Sequence, residues 1–157
     1  VSNAAGFNDP VTGQTFEDVP EGSTFYDFVE RLADREVMSG YPCGSPGEPC
    51  VPPGNRPYFR PNGTATRGQL AKIVSNAANY QDPATGQTFE DVLPGSTFYD
   101  FVERLATRGV MSGYACGGPG EPCVPPDNRP YFRPASNVTR GQTSKIVANT
   151  FFPECQP

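Results

Sequence analysis

The chain has 157 residues, of which 36% are hydrophobic, so it can bury only a modest core. Its net charge of −5 and pI near 4.7 disfavour nucleic acid and anionic lipid as partners. No apolar run reaches the roughly 18 residues that a membrane-spanning helix needs, so we expect no membrane insertion. The 19 Pro and 17 Gly residues indicate that much of the backbone lies in turns and rigid loops.

The sequence contains two copies of one unit. A shift of 73 positions places residues 3–75 on residues 76–148 with 18 mismatches and no gap. We therefore expect repeat 1 at residues 1–75, repeat 2 at residues 76–148, and a tail at residues 149–157 that begins like an unfinished third unit. Because residues 1–5 match residues 74–78, we expect the first five residues to form the last turn of a helix.

The first helix of each repeat is predicted from the segment STFYDFVERLA. Thr24 and Asp27 have the spacing of a capping box, as do Thr97 and Asp100, and apolar residues follow at the spacing of one helix face. The expected buried stripe is Phe25, Phe28, Val29 and Leu32, repeated as Phe98, Phe101, Val102 and Leu105. The helix of repeat 2 should end at Gly109 in the left-handed conformation. Repeat 1 has Glu36 there, with an expected strain of about 1 kcal/mol.

The second helix of each repeat is predicted from the segment TRGQ. Thr66 and Gln69 fit a capping box, and so do Thr139 and Gln142. The expected apolar faces consist of Leu70, Ile73, Val74 and Ala77 in repeat 1 and of Ile146 and Val147 in repeat 2, where Thr143 replaces Leu70. The predicted fold is therefore mainly α, with two tandem helix–loop–helix repeats joined by long loops rich in Pro and Gly.

The cysteines favour two local disulfides, Cys43–Cys50 and Cys116–Cys123. Six residues separate the members of each pair, across Gly and Pro residues that bend the chain back. A zinc site made of the four thiolates is the alternative, although zinc pairs usually lie closer together and the chain has no His. Cys155 is left over, which suggests an intermolecular bridge or a free thiol.

Two sequons for N-glycosylation occur in matching loops, at Asn62 and at Asn137. Together with the five cysteines, they fit an oxidising compartment and an exposed surface. We therefore expect a secreted glycoprotein.

The acidic residues offer little for catalysis or metal binding. Asp9, Asp18, Asp82 and Asp91 could serve as calcium ligands, but their spacing does not fit a twelve-residue calcium loop and favours solvated turns. Glu17 and Asp18 could be drawn as a glycosidase pair, yet acids near a helix start need no catalytic explanation. Without His, and with the cysteines in bridges, we expect no enzyme, no metal and no cofactor.

An aromatic–arginine segment leads into each second helix. It reads Tyr58-Phe59-Arg60 in repeat 1 and Tyr131-Phe132-Arg133 in repeat 2. Aromatic faces beside guanidinium groups suit sugars with acidic substituents. The alternative is structural, with the rings closing the core and the arginines pairing with nearby acids.

The ordered motifs TFEDV, FYDFVERLA, MSGY, YFRP, TRGQ and KIV resemble the S-layer homology (SLH) repeat, twice over nearly the whole chain. This resemblance implies helix–loop–helix units that bind cell-wall polysaccharide and hold proteins at the cell surface. It also implies groove residues at Asp18, Arg67, Asp91 and Arg140.

From the repeats and this resemblance together we expect a non-enzymatic extracellular structural protein that assembles head to tail with copies of itself into a filament or S-layer. A cell-wall polysaccharide-binding anchor is the alternative.

Overall fold

The computed structural model describes residues 1–155, and for Cys155 it describes the backbone only. The described helices are α1 at Tyr26–Asp34, α2 at Arg67–Ala77, α3 at Tyr99–Thr107 and α4 at Arg140–Phe151, followed by a 3-10 turn at Pro153–Cys155. In the same residues, β-structure is limited to isolated bridges such as the one between Tyr41 and Tyr58. The mainly helical character predicted from the sequence is confirmed.

The chain forms two compact units, which we call unit 1 (Val1–Gly63) and unit 2 (Thr64–Pro157). The division lies just before α2, because α2 packs against α3 and α4 within unit 2. The second helix of repeat 1 is therefore part of the same compact unit as repeat 2.

The capping boxes predicted for α1 and α3 are wrong. The N-cap residues are Phe25 and Phe98, and neither helix has a side-chain cap. A backbone turn supplies the acceptor instead, since the carbonyl of Ser23 accepts the N–H of Tyr26 at 3.1 Å. An N–H group that is satisfied by the main chain needs no threonine hydroxyl.

The buried stripe predicted for α1 is only half correct. The buried residues are Tyr26, Val29, Glu30 and Leu32. Phe25 and Phe28 are 50% and 39% exposed. The segment before the helix folds over its other side, where both carboxylate oxygens of Glu30 accept the N–H of Thr15 at 3.0 Å. This long-range contact, and not the apolar spacing, decides which face is buried.

The core of unit 1 is small and contains a pair of aromatic rings. Its fully buried residues include Phe16 and Val19, and the ring of Phe16 lies 5.4 Å from that of Phe59. Gly40 lies against this pair, because a Cβ at that position would be 2.4 Å from a ring carbon of Phe16. Unit 2 repeats the arrangement with Phe89 and Phe132, whose rings lie 5.1 Å apart.

Both first helices end in the left-handed conformation, as predicted. Gly109 has φ +67° and Glu36 has φ +56°. A side chain at positive φ is strained, whereas glycine adopts this conformation freely.

Both second helices have the predicted capping boxes. The N–H of Gln69 donates to Oγ1 of Thr66 at 3.3 Å, and the N–H of Thr66 donates to Oε1 of Gln69 at 2.8 Å. Thr139 and Gln142 form the same pair at the start of α4. Each box satisfies two N–H groups that would otherwise lack a partner.

The two second helices differ in burial. The residues buried in α2 are Arg67, Gly68, Leu70, Ala71, Val74 and Ser75, whereas those buried in α4 are Ile146 and Thr150. Thr143 and Ser144 stand where α2 has Leu70 and Ala71, and Ser144 is exposed. The face that α2 buries against α3 is thus largely open to solvent in α4.

Residues 1–5 form the helical turn that the sequence predicts. The N–H of Ala5 donates to the carbonyl of Val1 at 2.9 Å, as that of Ala78 does to Val74 at 3.0 Å. The N–H of Phe7 donates to the carbonyl of Ser2 at 3.1 Å. The corresponding hydrogen bond in unit 2 lies at the C-terminal end of α2.

Disulfides close the two long loops, as predicted. Cys43 bonds to Cys50 and Cys116 to Cys123, which removes the zinc alternative for these four thiols. The side chain of Cys155, for which we suggested an intermolecular bridge or a free thiol, lies outside the described residues.

An arginine also braces each loop. Nε and Nη2 of Arg60 donate to the two carboxylate oxygens of Glu48 at 2.6 and 2.8 Å, and the guanidinium lies 3.9 Å from the ring centre of Tyr41. Arg133 makes the same contacts with Glu121 and Tyr114.

Candidate functional site

Arg67, the first residue of α2, is a buried cation in unit 2 and only 5% exposed. Its Nε donates to the carbonyl of Phe132 at 2.7 Å, and its Nη2 donates to the carbonyl of Ser112 at 2.8 Å. Its guanidinium lies 4.6 Å from the ring centre of Phe132 and 5.1 Å from that of Tyr114. Two carbonyls and two rings therefore hold the side chain in one position.

The charge of Arg67 is not cancelled by a direct ion pair among the described residues. Desolvation lowers the pKa of Arg67 from its ordinary value, and the nearby charge of Arg133 adds to the effect. Tyr114 and Asp91 act in the opposite direction. An arginine remains protonated at neutral pH, so the site keeps its positive charge.

Arg67 lines a pocket of about 170 Å³ together with residues from α4. The other lining residues are Val110, Met111, Ser112, Gly113, Tyr114, Gln142, Lys145 and Ile146. The lining contains two cationic side chains and no carboxylate, which suits a small anionic group. Sequence reasoning missed Lys145, although a lysine recurs at this position as Lys72 and could have been noticed.

The other three residues suggested by the resemblance lie elsewhere. The carboxylate of Asp18 accepts the N–H groups of Phe59 and Arg60, both at 2.7 Å. Asp91 does the same for Phe132 and Arg133 in unit 2, at 2.7 and 2.6 Å. Each aspartate thereby positions an aromatic–arginine segment.

Arg140 is exposed at the start of α4. Within residues 1–155 its side chain makes no hydrogen bond, ion pair or ring contact. It is the counterpart of Arg67 one repeat later, but it lies outside the pocket.

The model of the family described as S-layer homology domain matches residues 15–71 and 88–144. The chain is a member of the SLH family. The search of curated proteins gave no match. SLH domains are tandem, non-catalytic modules of cell-surface proteins that usually anchor them to the cell wall. The two disulfides fit this extracellular setting.

Asp9 and Asp82, the other two acids considered as calcium ligands, are each engaged by an arginine. Asp9 accepts a hydrogen bond from Arg35 at 2.5 Å, and Asp82 accepts one from Arg108 at 2.5 Å. These contacts hold the pKa of each carboxyl below its usual value. No group of three or more His, Cys, Asp or Glu side chains in the described part of the chain could hold a metal ion.

The contact between α2 and α3 is the second candidate site. A Cβ at Gly68 would lie 2.5 Å from the ring of Phe98, so the missing side chain lets this ring lie directly on α2. The corresponding glycine of α4, Gly141, is exposed, and a Cβ there would meet only Oγ1 of Thr139, at 4.0 Å. Phe25, the counterpart of Phe98, is also exposed.

Both sequon asparagines, Asn62 and Asn137, are exposed. None of the described helices is long and apolar enough to cross a membrane.

Proposed function

We propose that this SLH protein is a non-enzymatic structural component of the cell surface whose copies join head to tail into a filament or layer. One observation carries the proposal. In unit 2, the ring of Phe98 packs on Gly68 of α2. The two equivalent residues, Phe25 at the start of α1 and Gly141 on α4, are both exposed.

The segments that carry the two sides of this contact recur unchanged in the uncovered surfaces. The segment STFYDFVERLA is identical at residues 23–33 and 96–106, and TRGQ is identical at residues 66–69 and 139–142. These identical segments can make the same Phe–Gly contact, although further along the helix Thr143 and Ser144 of α4 replace Leu70 and Ala71 of α2. We therefore infer that α4 of one copy packs on α1 of the next as α2 packs on α3 within unit 2.

Such a contact joins two different surfaces, so every added copy brings one of each and growth continues. Phe25 and Phe28 present two neighbouring, exposed aromatic rings on the α1 side. Burying a phenylalanine side chain contributes about 1.5–3 kcal/mol, so the two rings would supply part of the free energy of association.

The test substitutes Gly141, which makes almost no contact in the lone chain. Gly141→Leu should leave the monomer folded, and even stabilise it, because glycine is a poor helix former. It should nevertheless block assembly, because the side chain occupies the space that Phe25 of the next copy requires. Light scattering over a concentration series and electron microscopy of the same samples report assembly.

The matched control is Gly118→Leu, in the stapled loop of unit 2. Repeat 1 carries Ser45 at that position, so a side chain is tolerated, and a Cβ there would meet only Glu121, at 3.6 Å. We expect the control to assemble like the natural chain. A natural chain that stays monomeric at high concentration, or a Gly141→Leu chain that assembles normally, contradicts the proposal.

The second candidate function is anchoring to cell-wall polysaccharide, and the pocket beside Arg67 favours it. Arg67 and Lys145 would bind an acidic substituent of a sugar, and Tyr114 would offer a ring face. Asp91 would act indirectly, by fixing the backbone whose Phe132 carbonyl holds Arg67.

Binding of purified cell-wall polysaccharide tests this function. Lys145→Ala should weaken binding by roughly tenfold if the lysine contacts an anionic group. Lys72→Ala is the matched control, since Lys72 occupies the same helix position outside this pocket. Equal binding by both variants would remove the pocket from consideration.

A further inference from the structure

We infer that Arg140 fixes the register of the subunit junction by inserting into unit 1 of the next copy, where its guanidinium donates to the carbonyls of Ser39 and Phe59. This inference rests on the proposed head-to-tail assembly and adds to it a named polar contact. It assigns Arg140 to protein–protein recognition and not to glycan binding.

The proposed contact is based on the hydrogen bonds that unit 2 makes with the start of α2. Besides the two side-chain bonds of Arg67, its N–H donates to the carbonyl of Ser136 at 2.8 Å, and the N–H of Gly68 donates to that of Pro134 at 2.9 Å. The N–H of Val138 returns a bond to Ala65 at 3.0 Å. The helix start is thus fixed by polar contacts that tolerate no shift in register.

The start of α4 has the same donors without these acceptors. In residues 1–155, the N–H groups of Arg140 and Gly141 make no hydrogen bond of the kind that Arg67 and Gly68 make. The side chain of Arg140 is exposed and lacks the two carbonyls and two rings that surround Arg67. The donor side of the junction is therefore open.

Unit 1 has the acceptors without a donor. The positions that match Ser112 and Phe132 are Ser39 and Phe59, and in the described residues neither of their carbonyls accepts a hydrogen bond. The surroundings are built alike in both units. Asp18 fixes the Phe59 segment as Asp91 fixes the Phe132 segment, and Arg60 lies on the ring of Tyr41 at 3.9 Å as Arg133 lies on that of Tyr114.

We call the carbonyls of Ser39 and Phe59, with the ring of Phe59, the arginine socket. Neither carbonyl accepts a hydrogen bond within the described residues, so Arg140 would displace no existing bond to them. A guanidinium presents several N–H donors in a fixed plane and can reach two carbonyls at once, whereas an ammonium group is a compact point charge. The socket is therefore expected to distinguish arginine from lysine.

The experiment compares Arg140→Ala and Arg140→Lys with the natural chain. We expect the alanine variant to associate about 10 to 100 times more weakly, and the lysine variant to lose about tenfold despite its charge. Arg129→Ala is the charge-matched control, because among the described residues the ion pairs of Arg129 are with Glu90 and Asp127 of its own unit. The control should associate normally.

A mixing experiment separates loss of the junction from loss of folding. Phe25→Asp damages the α1 side and leaves α4 intact, while Arg140→Ala does the reverse. At a concentration where the natural chain assembles but a contact about tenfold weaker does not form, each variant alone should be monomeric. An equimolar mixture should then give a dimer and no longer species, because it contains one competent junction. Sedimentation of the two variants and of their mixture measures this.

The outcomes distinguish the two proposals. If the natural chain does not assemble, the head-to-tail function fails. If the natural chain assembles and both Arg140 variants assemble equally well, the function stands and the arginine socket is wrong. A mixture that stays monomeric although both variants are folded also overturns the socket.

Discussion

At the residue scale, the two repeats differ most clearly where their first helices end. Glu36 and Gly109 occupy equivalent positions and both have positive φ. Glu36 is exposed and makes no hydrogen bond or ion pair through its side chain in the described part of the chain. Nothing therefore offsets the strain of its backbone conformation.

Replacing Glu36 with glycine should stabilise unit 1. The expected gain is about 1 kcal/mol, because glycine adopts positive φ without a steric penalty. Urea unfolding of Glu36→Gly, compared with the natural chain, measures it. The reverse change, Gly109→Glu, should destabilise unit 2 by a similar amount, and equal midpoints for all three chains would refute the strain.

At the scale of elements, the stapled loops are stabilised in two independent ways. One is the disulfide, and the other is the pairing of Arg60 with Glu48, or of Arg133 with Glu121. The two kinds of contact respond to different conditions, so they can be tested separately.

Removing one disulfide should cost about 2–3 kcal/mol, the amount by which a cross-link of this loop length restricts the unfolded chain. Cys116→Ser with Cys123→Ser tests unit 2, and Cys43→Ser with Cys50→Ser tests unit 1. Differential scanning calorimetry reports the loss. Peptide mapping without reduction should identify both bridges in the natural chain, and free thiols at these positions would contradict them.

The ion pairs in the loops should make the free energy of unfolding depend on pH in the acidic range. Hydrogen bonding to Arg60 and Arg133 holds the pKa values of Glu48 and Glu121 below their ordinary value of 4.5. Because these groups are more acidic in the folded chain, their contribution is present above pH 4.5 and is lost as the pH falls through the folded pKa. The paired Asp9 and Asp82 act in the same direction.

Unfolding in urea at a series of pH values between about 6 and 2.5 measures this dependence. Arg133→Gln should flatten the curve in the acidic range, because Glu121 then returns to its ordinary pKa. An unchanged curve would show that this pair adds nothing to stability.

Sequence patterns predicted the second helices better than the first. The capping boxes at Thr66 and Thr139 depend on residues three positions apart, and such local signals can be read directly. The buried face of α1 depends on the contact between Glu30 and Thr15, which lies outside any helical period. The spacing of apolar residues along α1 therefore predicted that Phe25 and Phe28 are buried, whereas the structure buries Tyr26 and Glu30.

At the scale of the whole molecule, the sequence revealed the duplication but not how the helices are grouped. The 73-residue period would put α2 with α1, whereas packing groups α2 with α3. The pocket was missed for the same reason, since Arg67 and Lys145 lie in different repeats and meet only through that grouping. Contacts between repeats are invisible to a search for motifs within one repeat.

We predict glycans on Asn62 and Asn137 in a host that glycosylates asparagine. Both residues are exposed in loops. Ala135, the counterpart of Asn62, is exposed in unit 2 although α2 is packed nearby, so a glycan on Asn62 would leave the proposed junction open. Intact mass spectrometry of the native protein tests this, with Thr64→Ala and Thr139→Ser as comparison chains.

The serine variant keeps the sequon and a capping hydroxyl, so only Thr64→Ala should lose one glycan. A native mass equal to that of the bare polypeptide would contradict the prediction.

The polar side chains of α4 have a consequence for the lone molecule. Thr143 and Ser144 stand where the covered helix has Leu70 and Ala71, so less apolar surface meets water when the face is open. Such a face offers little exposed apolar surface for non-specific aggregation. The proposed head-to-tail junction should therefore be reversible, and dilution should return its subunits to solution.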